Sequence, residues 1–114
     1  MKQLIKDFYV GQPHMDALDD LTAHWDISTA QAWDHMLGSL VESIVLQEYL
    51  CQDADTLRQD ADWGTECKGY RMFVKMSPEA WSSVLDQCSK SSLKMSAVLR
   101  RLIAWHWLEI HATI

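Results

Sequence analysis

The strongest constraint on the fold is a change of period at residue 77. In residues 70–76, YRMFVKM, apolar side chains at Met72, Val74 and Met76 alternate with charged or bulky ones, as in a strand that buries one face. A Ser-Pro-Glu sequence follows, in which serine suits a helix N-cap and proline suits the first helical turn. Because one strand cannot form a sheet alone, it needs a partner, and the simplest source is a second copy of the chain. The segment therefore predicts a strand that is paired across a homodimer and followed by a helix.

Two helices are predicted after this strand. The first carries Trp81, Val84, Leu85 and Cys88 at helical spacing and is followed by a polar SKSS segment. The second begins near Lys94, and its last part, LIAWHWLEI, is apolar on nearly every side, so neighbouring elements must cover more than one of its faces. Its predicted inward residues are Met95, Val98, Leu99, Leu102, Ile103, His106 and Ile110.

The first fifty residues carry two further helical patterns. Apolar spacing predicts a helix over residues 15–25, and Ser28 suits the N-cap of a second helix that reaches about residue 50. Residues 51–69 are acidic and poor in apolar groups, which indicates a connector. We therefore expect a mainly α fold with one short β-strand, in which an acidic N-terminal helical domain (1–50) and the connector (51–69) precede a C-terminal domain (70–114). The residues that the second helix is expected to carry at successive i, i+3 and i+4 positions are Trp33, Leu37, Leu40, Val41, Ile44 and Glu48.

Charge is divided unevenly along the chain. The formal net charge is -6, but residues 1–66 carry -10 and residues 67–114 carry +4. The basic part is the candidate for phosphate contact, and the acidic part suits another role such as binding a protein. The N-terminus lacks the pattern of a signal peptide, and no run of eighteen apolar residues occurs, so we expect a soluble, cytoplasmic protein. Three cysteines without Cys-x-x-Cys spacing are expected to be free thiols: Cys51, Cys67 and Cys88.

The order strand, Ser-Pro-Glu, helix, polar turn and helix in residues 71–108 resembles the ribbon-helix-helix DNA-binding family, to which MetJ, Arc and CopG belong. The resemblance implies that two chains pair their strands into an antiparallel ribbon that enters the major groove, while four helices form the dimer core. It also implies a homodimeric bacterial, phage or plasmid transcription regulator. Such a protein would bind double-stranded DNA at sites with two-fold symmetry, several dimers acting together.

The resemblance also assigns roles to individual residues. Arg71, Phe73 and Lys75 would contact bases, because arginine and lysine match the acceptors of guanine and phenylalanine suits a thymine methyl group. The start of the last helix corresponds to the family's phosphate-contacting position, where backbone N–H groups meet an anion. This sequence departs from the family at Ala97, which stands where the family usually has glutamate. The residues expected to contact phosphate are Lys90, Lys94, Met95 and Ser96.

The N-terminal half admits two interpretations. It is either a degenerate second copy of the ribbon-helix-helix unit or a helical dimerisation extension that only imitates one. In the first case Phe8 and Val10 face inward, whereas Asp7, Tyr9 and Gly11 face outward. An outward aspartate would repel phosphate, so this half is not expected to bind the DNA backbone.

The sequence favours neither catalysis nor a cofactor. It has no Gly-rich phosphate loop, no Gly-x-Ser-x-Gly and no His-Glu-x-x-His, and its histidines lack the i, i+4 spacing of a metal site on a helix. Arg100 and Arg101 are expected in ion pairs rather than in DNA contacts. An alternative to the regulator is an antitoxin or inhibitor that binds a basic protein through its acidic half. Salt-sensitive binding to DNA would favour the regulator.

Overall fold

A computed structural model describes residues 3–50 and 70–112. Within these residues two β-strands and five α-helices form a mainly helical fold, and the predicted connector at 51–69 lies outside the described residues. The elements are β1 (Leu4–Val10), α1 (Gln12–Trp25), α2 (Thr29–Glu42), α3 (Ile44–Leu50), β2 (Tyr70–Met76), α4 (Pro78–Ser91) and α5 (Met95–Ala112).

Strand β2 forms at the predicted residues, but its partner differs from the prediction. It pairs antiparallel with β1 of the same chain, in a register that places Asp7 opposite Phe73. The expected pairing with a second copy is therefore corrected to pairing within one chain, and the expectation of one short β-strand is corrected to two. Phe8 and Val10 face inward on β1, as the second-copy interpretation expected. The sequence obscures β1 because Lys6 interrupts its inward apolar row. The Lys6 ammonium lies 4.2 Å from the centre of the Trp81 ring, so its apolar stem fills the inward position.

The two halves of the described chain repeat one architecture, which aligns from the first residue of each strand. Strands β1 and β2 each have seven residues, and helices α1 and α4 each have fourteen. Both helices end before a residue in the left-handed conformation, Asp26 with φ 55° and Ser92 with φ 60°. The next helices begin at equivalent places, Thr29 and Met95, and we call residues equivalent when this alignment matches them. The described residues therefore contain two strand–helix–helix units, the first of which is followed by the short helix α3. That the first unit is a degenerate ribbon-helix-helix copy stays a prediction.

The two units are intertwined. Besides the pairing of β1 with β2, helix α1 packs on α5 and α2 packs on α4, so each unit contacts the other through both of its helices. The apolar side chains of both units form one hydrophobic core, and many equivalent positions are buried in both units. Such pairs include Phe8 and Val74, Leu18 and Val84, Met36 and Leu102, and Leu37 and Ile103.

The second N-terminal helix is shorter than predicted. It begins after the expected N-cap, Ser28, but it is interrupted at Ser43, whose φ of -98° and ψ of 112° are extended. The Ser43 hydroxyl then accepts a hydrogen bond from the Leu46 N–H, which starts α3. Because the interruption changes which face points inward, Ile44 is 70% exposed and Glu48 is exposed, whereas Leu46 is fully buried.

The C-terminal helices lie close to their predicted positions. Ser77 caps α4 by accepting a hydrogen bond from the Ala80 N–H at 3.1 Å, as the Ser-Pro-Glu sequence predicts. Not every apolar residue at helical spacing on α4 is buried, because Leu85 is 47% exposed, whereas the polar Gln87 is buried. The buried residues of α4, which are Ala80, Val84 and Gln87, therefore define a face that is offset from the one its apolar residues define.

Two other expectations concern thiols and membranes. Cys88 is a free thiol whose pKa is raised by burial, which disfavours the thiolate, whereas Cys51 and Cys67 lie outside the described residues. None of the helices in residues 3–50 and 70–112 combines the length and the apolar character needed to cross a membrane.

Candidate nucleic-acid interface

One face of the two-stranded sheet is exposed and carries the three side chains predicted to contact bases. Arg71, Phe73 and Lys75 point away from the core, while the residues between them are buried, as the strand pattern predicts. Strand β1 contributes a second exposed row, in which Ile5 lies opposite Lys75 and Tyr9 lies opposite Arg71. The six side chains form what we term the ribbon face: Ile5, Asp7, Tyr9, Arg71, Phe73 and Lys75.

Arg71 is held across the ribbon face by Asp7. Its Nε donates a hydrogen bond to Asp7 Oδ2 at 2.6 Å, and its guanidinium carbon lies 5.2 Å from the centre of the Phe73 ring. The hydrogen bond and the negative charge of Asp7 raise the pKa of Arg71, so the guanidinium stays charged. Both side chains are about half exposed, so water and salt screen the pair, and an acceptor on a ligand can compete for the guanidinium.

A cleft of about 330 Å³, the α5 cleft, lies between the end of β1 and the start of α5. It brings three of the four predicted phosphate contacts to the edge of the ribbon face. Arg100 joins them there and donates a hydrogen bond from Nη1 to the Tyr9 carbonyl oxygen at 3.1 Å. The α5 cleft is lined by Asp7, Phe8, Tyr9, Lys94, Met95, Ser96 and Arg100.

The other unit has a corresponding cleft of about 260 Å³, the α2 cleft, between β2 and the start of α2. Its charges differ, because Asp34 is the residue equivalent to Arg100, and Ser28 is the residue equivalent to Lys94. The backbone at the start of α2 is also occupied. Ser28 Oγ accepts from the Gln31 N–H at 3.2 Å, and the Gln31 side chain accepts from the Ser28 N–H at 3.0 Å. The α2 cleft is therefore less suited to an anion than the α5 cleft.

Lys90, the fourth predicted phosphate contact, does not line the α5 cleft. It lies in the last turn of α4, where its Nζ is 3.0 Å from Asp86 Oδ2 in an exposed i, i+4 pair. Arg101, predicted to form an ion pair, is buried and donates from Nη1 to the Leu50 carbonyl oxygen at 3.3 Å. Neither cation is part of the ribbon face.

Buried His106 meets exposed His35 at the edge of the helical core. The ring of buried His106 lies 5.9 Å from the His35 ring and 5.8 Å from the Trp25 ring, centre to centre. Within residues 3–50 and 70–112, no three His, Cys, Asp or Glu side chains are grouped so that they could hold a metal ion. The contacts of His106 are therefore those of a packed side chain.

Sequence reasoning missed two contributors to this surface. Ile5 was not assigned to the ribbon face because the inward Lys6 obscured the pattern of β1. Arg100 was assigned to ion pairs, although it lies four residues after Ser96 and thus on the same side of α5. Gly11, predicted to face outward on the strand, instead precedes α1 as its N-cap. The i, i+4 relation to Ser96 was the signal that could have placed Arg100.

Comparisons of this chain with protein-family models, with curated proteins and with solved structures gave no match.

Proposed function

We propose that the protein is a sequence-specific DNA-binding transcription regulator that reads the major groove with its ribbon face. The observation that carries the proposal is the exposed row of Arg71, Phe73 and Lys75 on a two-stranded antiparallel ribbon. The major groove of B-DNA is wide enough to admit such a ribbon, and alternate side chains on its outer face then reach base edges. The proposal includes no catalytic step and no cofactor.

The α5 cleft supports this proposal by supplying a place for a phosphate beside the ribbon. When a ribbon enters the groove, the DNA backbone passes along both of its edges, and contacts to it fix the register of the protein. Lys94 and Arg100 line the α5 cleft, and the N-terminus of α5 adds its backbone N–H groups. Together they offer both the charge and the hydrogen-bond donors that a phosphate needs.

The order of elements supports assigning both units to the ribbon-helix-helix type, because each strand is followed by two helices at equivalent positions, after which the first unit has the extra short helix α3. The ribbon is complete within one chain, so a second copy is not needed to form it. Homodimerisation, and the binding of several copies to neighbouring sites, stay predictions of the resemblance.

The first test removes the two cations of the ribbon face. We expect the Arg71→Gln/Lys75→Gln variant to lose about 30-fold or more in preference for its selected site over random DNA, because each side-chain contact of this kind with a base contributes about 1–3 kcal/mol and the variant removes two. The measurement is a selection from a random double-stranded DNA pool, followed by titration of the enriched and random duplexes. Circular dichroism should show an unchanged fold, since both side chains are exposed. An unchanged preference in a folded variant would exclude the ribbon face as the reading surface.

The matched control removes two positive charges elsewhere. We expect Lys90→Gln/Lys94→Gln to weaken the binding of all sequences alike and to reduce the salt dependence of log affinity by about one per lost phosphate contact. The preference for the selected site should be retained, because these residues are expected to meet phosphate rather than bases. Titrations of both duplexes between low and moderate salt measure this. A loss of preference in this variant would mean that charge alone explains the first result.

A protein-interaction module is the second candidate, and the apolar content of the ribbon face favours it. Ile5, Tyr9 and Phe73 are 61%, 54% and 62% exposed, which is more apolar surface than phosphate contact needs. A protein partner bound there would be retained at high salt, whereas DNA would be released. This candidate would be favoured if a basic protein copurified, stayed bound at high salt and shielded the ribbon face from solvent.

A further inference from the structure

We infer that one chain of this protein binds one duplex DNA site that lacks two-fold symmetry, and that it binds in a single orientation. The inference rests on the proposed function and adds the symmetry of the target and the residues that determine it.

Its first support is the origin of the ribbon. Both strands belong to one chain, and the register centres on Asp7 opposite Phe73, which are equivalent residues of the two units. A rotation that exchanges the two units therefore exchanges these two residues. Two identical chains would present the same side chains to both halves of a site, which makes a symmetric site the best match. Here the two halves of the ribbon face differ.

The second support is the chemistry at the exchanged positions. Ile5 corresponds to Arg71, and Tyr9 corresponds to Lys75, so an apolar or aromatic group on β1 stands where β2 has a cation. Arginine and lysine pair with guanine acceptors, whereas an apolar side chain contacts the thymine methyl group. The two strands therefore favour different bases at equivalent places in the site.

The third support is the difference in charge between the two ends of the ribbon. At the end that carries Tyr9 and Arg71, the α5 cleft adds Lys94 and Arg100. At the other end, where Lys75 lies opposite Ile5, the α2 cleft adds Asp34. Asp7 also lines the α5 cleft and Lys75 also lines the α2 cleft, so the lining side chains carry a net charge of +1 at the α5 cleft and of zero at the α2 cleft. A phosphate is therefore favoured more at the α5 cleft. Because each cation contact to phosphate is favourable and a carboxylate is repelled, the two orientations on DNA differ in free energy.

The first experiment is a selection from a random double-stranded DNA pool with the wild-type chain at moderate salt. We expect a motif without inverted-repeat symmetry and a complex of one chain per duplex by sedimentation. Hydroxyl-radical footprints on the two strands should be unequal about the centre of the motif. A palindromic motif, or two chains placed symmetrically on it, would overturn the inference while supporting the proposed function. Failure of a folded protein to enrich any motif would overturn the proposed function and the inference with it.

A strand-copy variant then tests which residues determine the asymmetry. It gives β1 the outward residues of β2, and the expected result is a motif that contains the half-site read by β2 twice, as an inverted repeat. All three substituted side chains are exposed, so the core is untouched. An unchanged motif from the folded variant would overturn the assignment of asymmetry to the ribbon face. The substitutions are Ile5→Arg, Asp7→Phe and Tyr9→Lys.

A full-exchange variant is the matched control, because it has the composition and net charge of the wild-type chain. It combines those three substitutions with the reciprocal ones on β2. The outward side chains of the two strands are then exchanged, which is equivalent to a 180° rotation of the ribbon face relative to the α5 cleft. We expect an asymmetric motif again, with its base-read part reversed relative to the strongest backbone protection. A motif in the wild-type orientation would overturn the inference. The reciprocal substitutions are Arg71→Ile, Phe73→Asp and Lys75→Tyr.

Discussion

Replacement of Trp33 by alanine is expected to lower the free energy of unfolding by about 3–5 kcal/mol, the range for loss of a large buried aromatic side chain. Trp33 is only 2% exposed, and its ring meets the Phe8 ring edge to face at 5.8 Å between centres. It therefore packs α2 against the core-facing side of β1. Urea denaturation followed by circular dichroism measures the change.

The control for this prediction comes from the other unit, where buried Leu99 is the residue equivalent to Trp33. Trp33→Leu is expected to cost clearly less than Trp33→Ala. It leaves a smaller cavity, whereas both variants alike remove an indole N–H that is buried without a hydrogen-bond partner in the described residues. Equal losses for the two variants would mean that Trp33 acts through its aromatic ring rather than by filling volume.

A large pH effect on stability is expected from His106. Burial lowers the pKa of His106 to about 4, although its hydrogen bond with Leu102 acts in the opposite direction, and nearby His35 lowers the pKa further. In the unfolded chain the pKa is about 6.5, so protons bind the unfolded state first as the pH falls. The contribution of neutral His106 to the free energy of unfolding is therefore fully present above about pH 6.5, and it falls by about 3 kcal/mol as the pH approaches 4.

The matched variant is His106→Leu, because buried Leu40 stands at the equivalent position of the first unit. The Leu102 carbonyl oxygen can only accept, so the proton of neutral His106 lies on Nδ1, at 2.9 Å, and buried Nε2 has no hydrogen-bond partner in the described residues. The leucine variant should retain its stability between pH 6.5 and 4 better than the wild-type chain. Parallel loss in both chains, measured by urea denaturation across this range, would assign the pH effect to other groups.

The C-terminal unit was the more predictable part of the fold. The alternation in β2 and the Ser77 N-cap are local features that packing does not alter, so the strand and helix α4 formed as expected. The repeat was not predictable from residue identity, because between residues 4–46 and 70–112 the only identical pairs are Asp20 with Asp86 and Ile44 with Ile110. Equivalent positions of the two units are buried although their residues differ. Because burial is set by tertiary packing, this repeat becomes visible only in the structure.

The candidate site was also predictable only in its local features. Strand alternation alone placed Arg71, Phe73 and Lys75 on an exposed face. The contact between Arg71 and Asp7 could not be foreseen, because these residues are far apart in the sequence and meet only through the register of the two strands. Contacts of this kind can be predicted only when the pairing of the strands is known. The inward Lys6 was enough to obscure that pairing in the sequence.

The covalent link between the two strands has a consequence for how the protein behaves on dilution. A ribbon assembled from separate subunits dissociates when the subunit concentration is low, so any binding by the ribbon weakens as the subunits dissociate. Here ribbon formation is unimolecular, and the link fixes the effective concentration of one strand about the other regardless of how many molecules a cell contains. A few copies are therefore as fully assembled as many, and each substitution alters the surface at one place rather than at two.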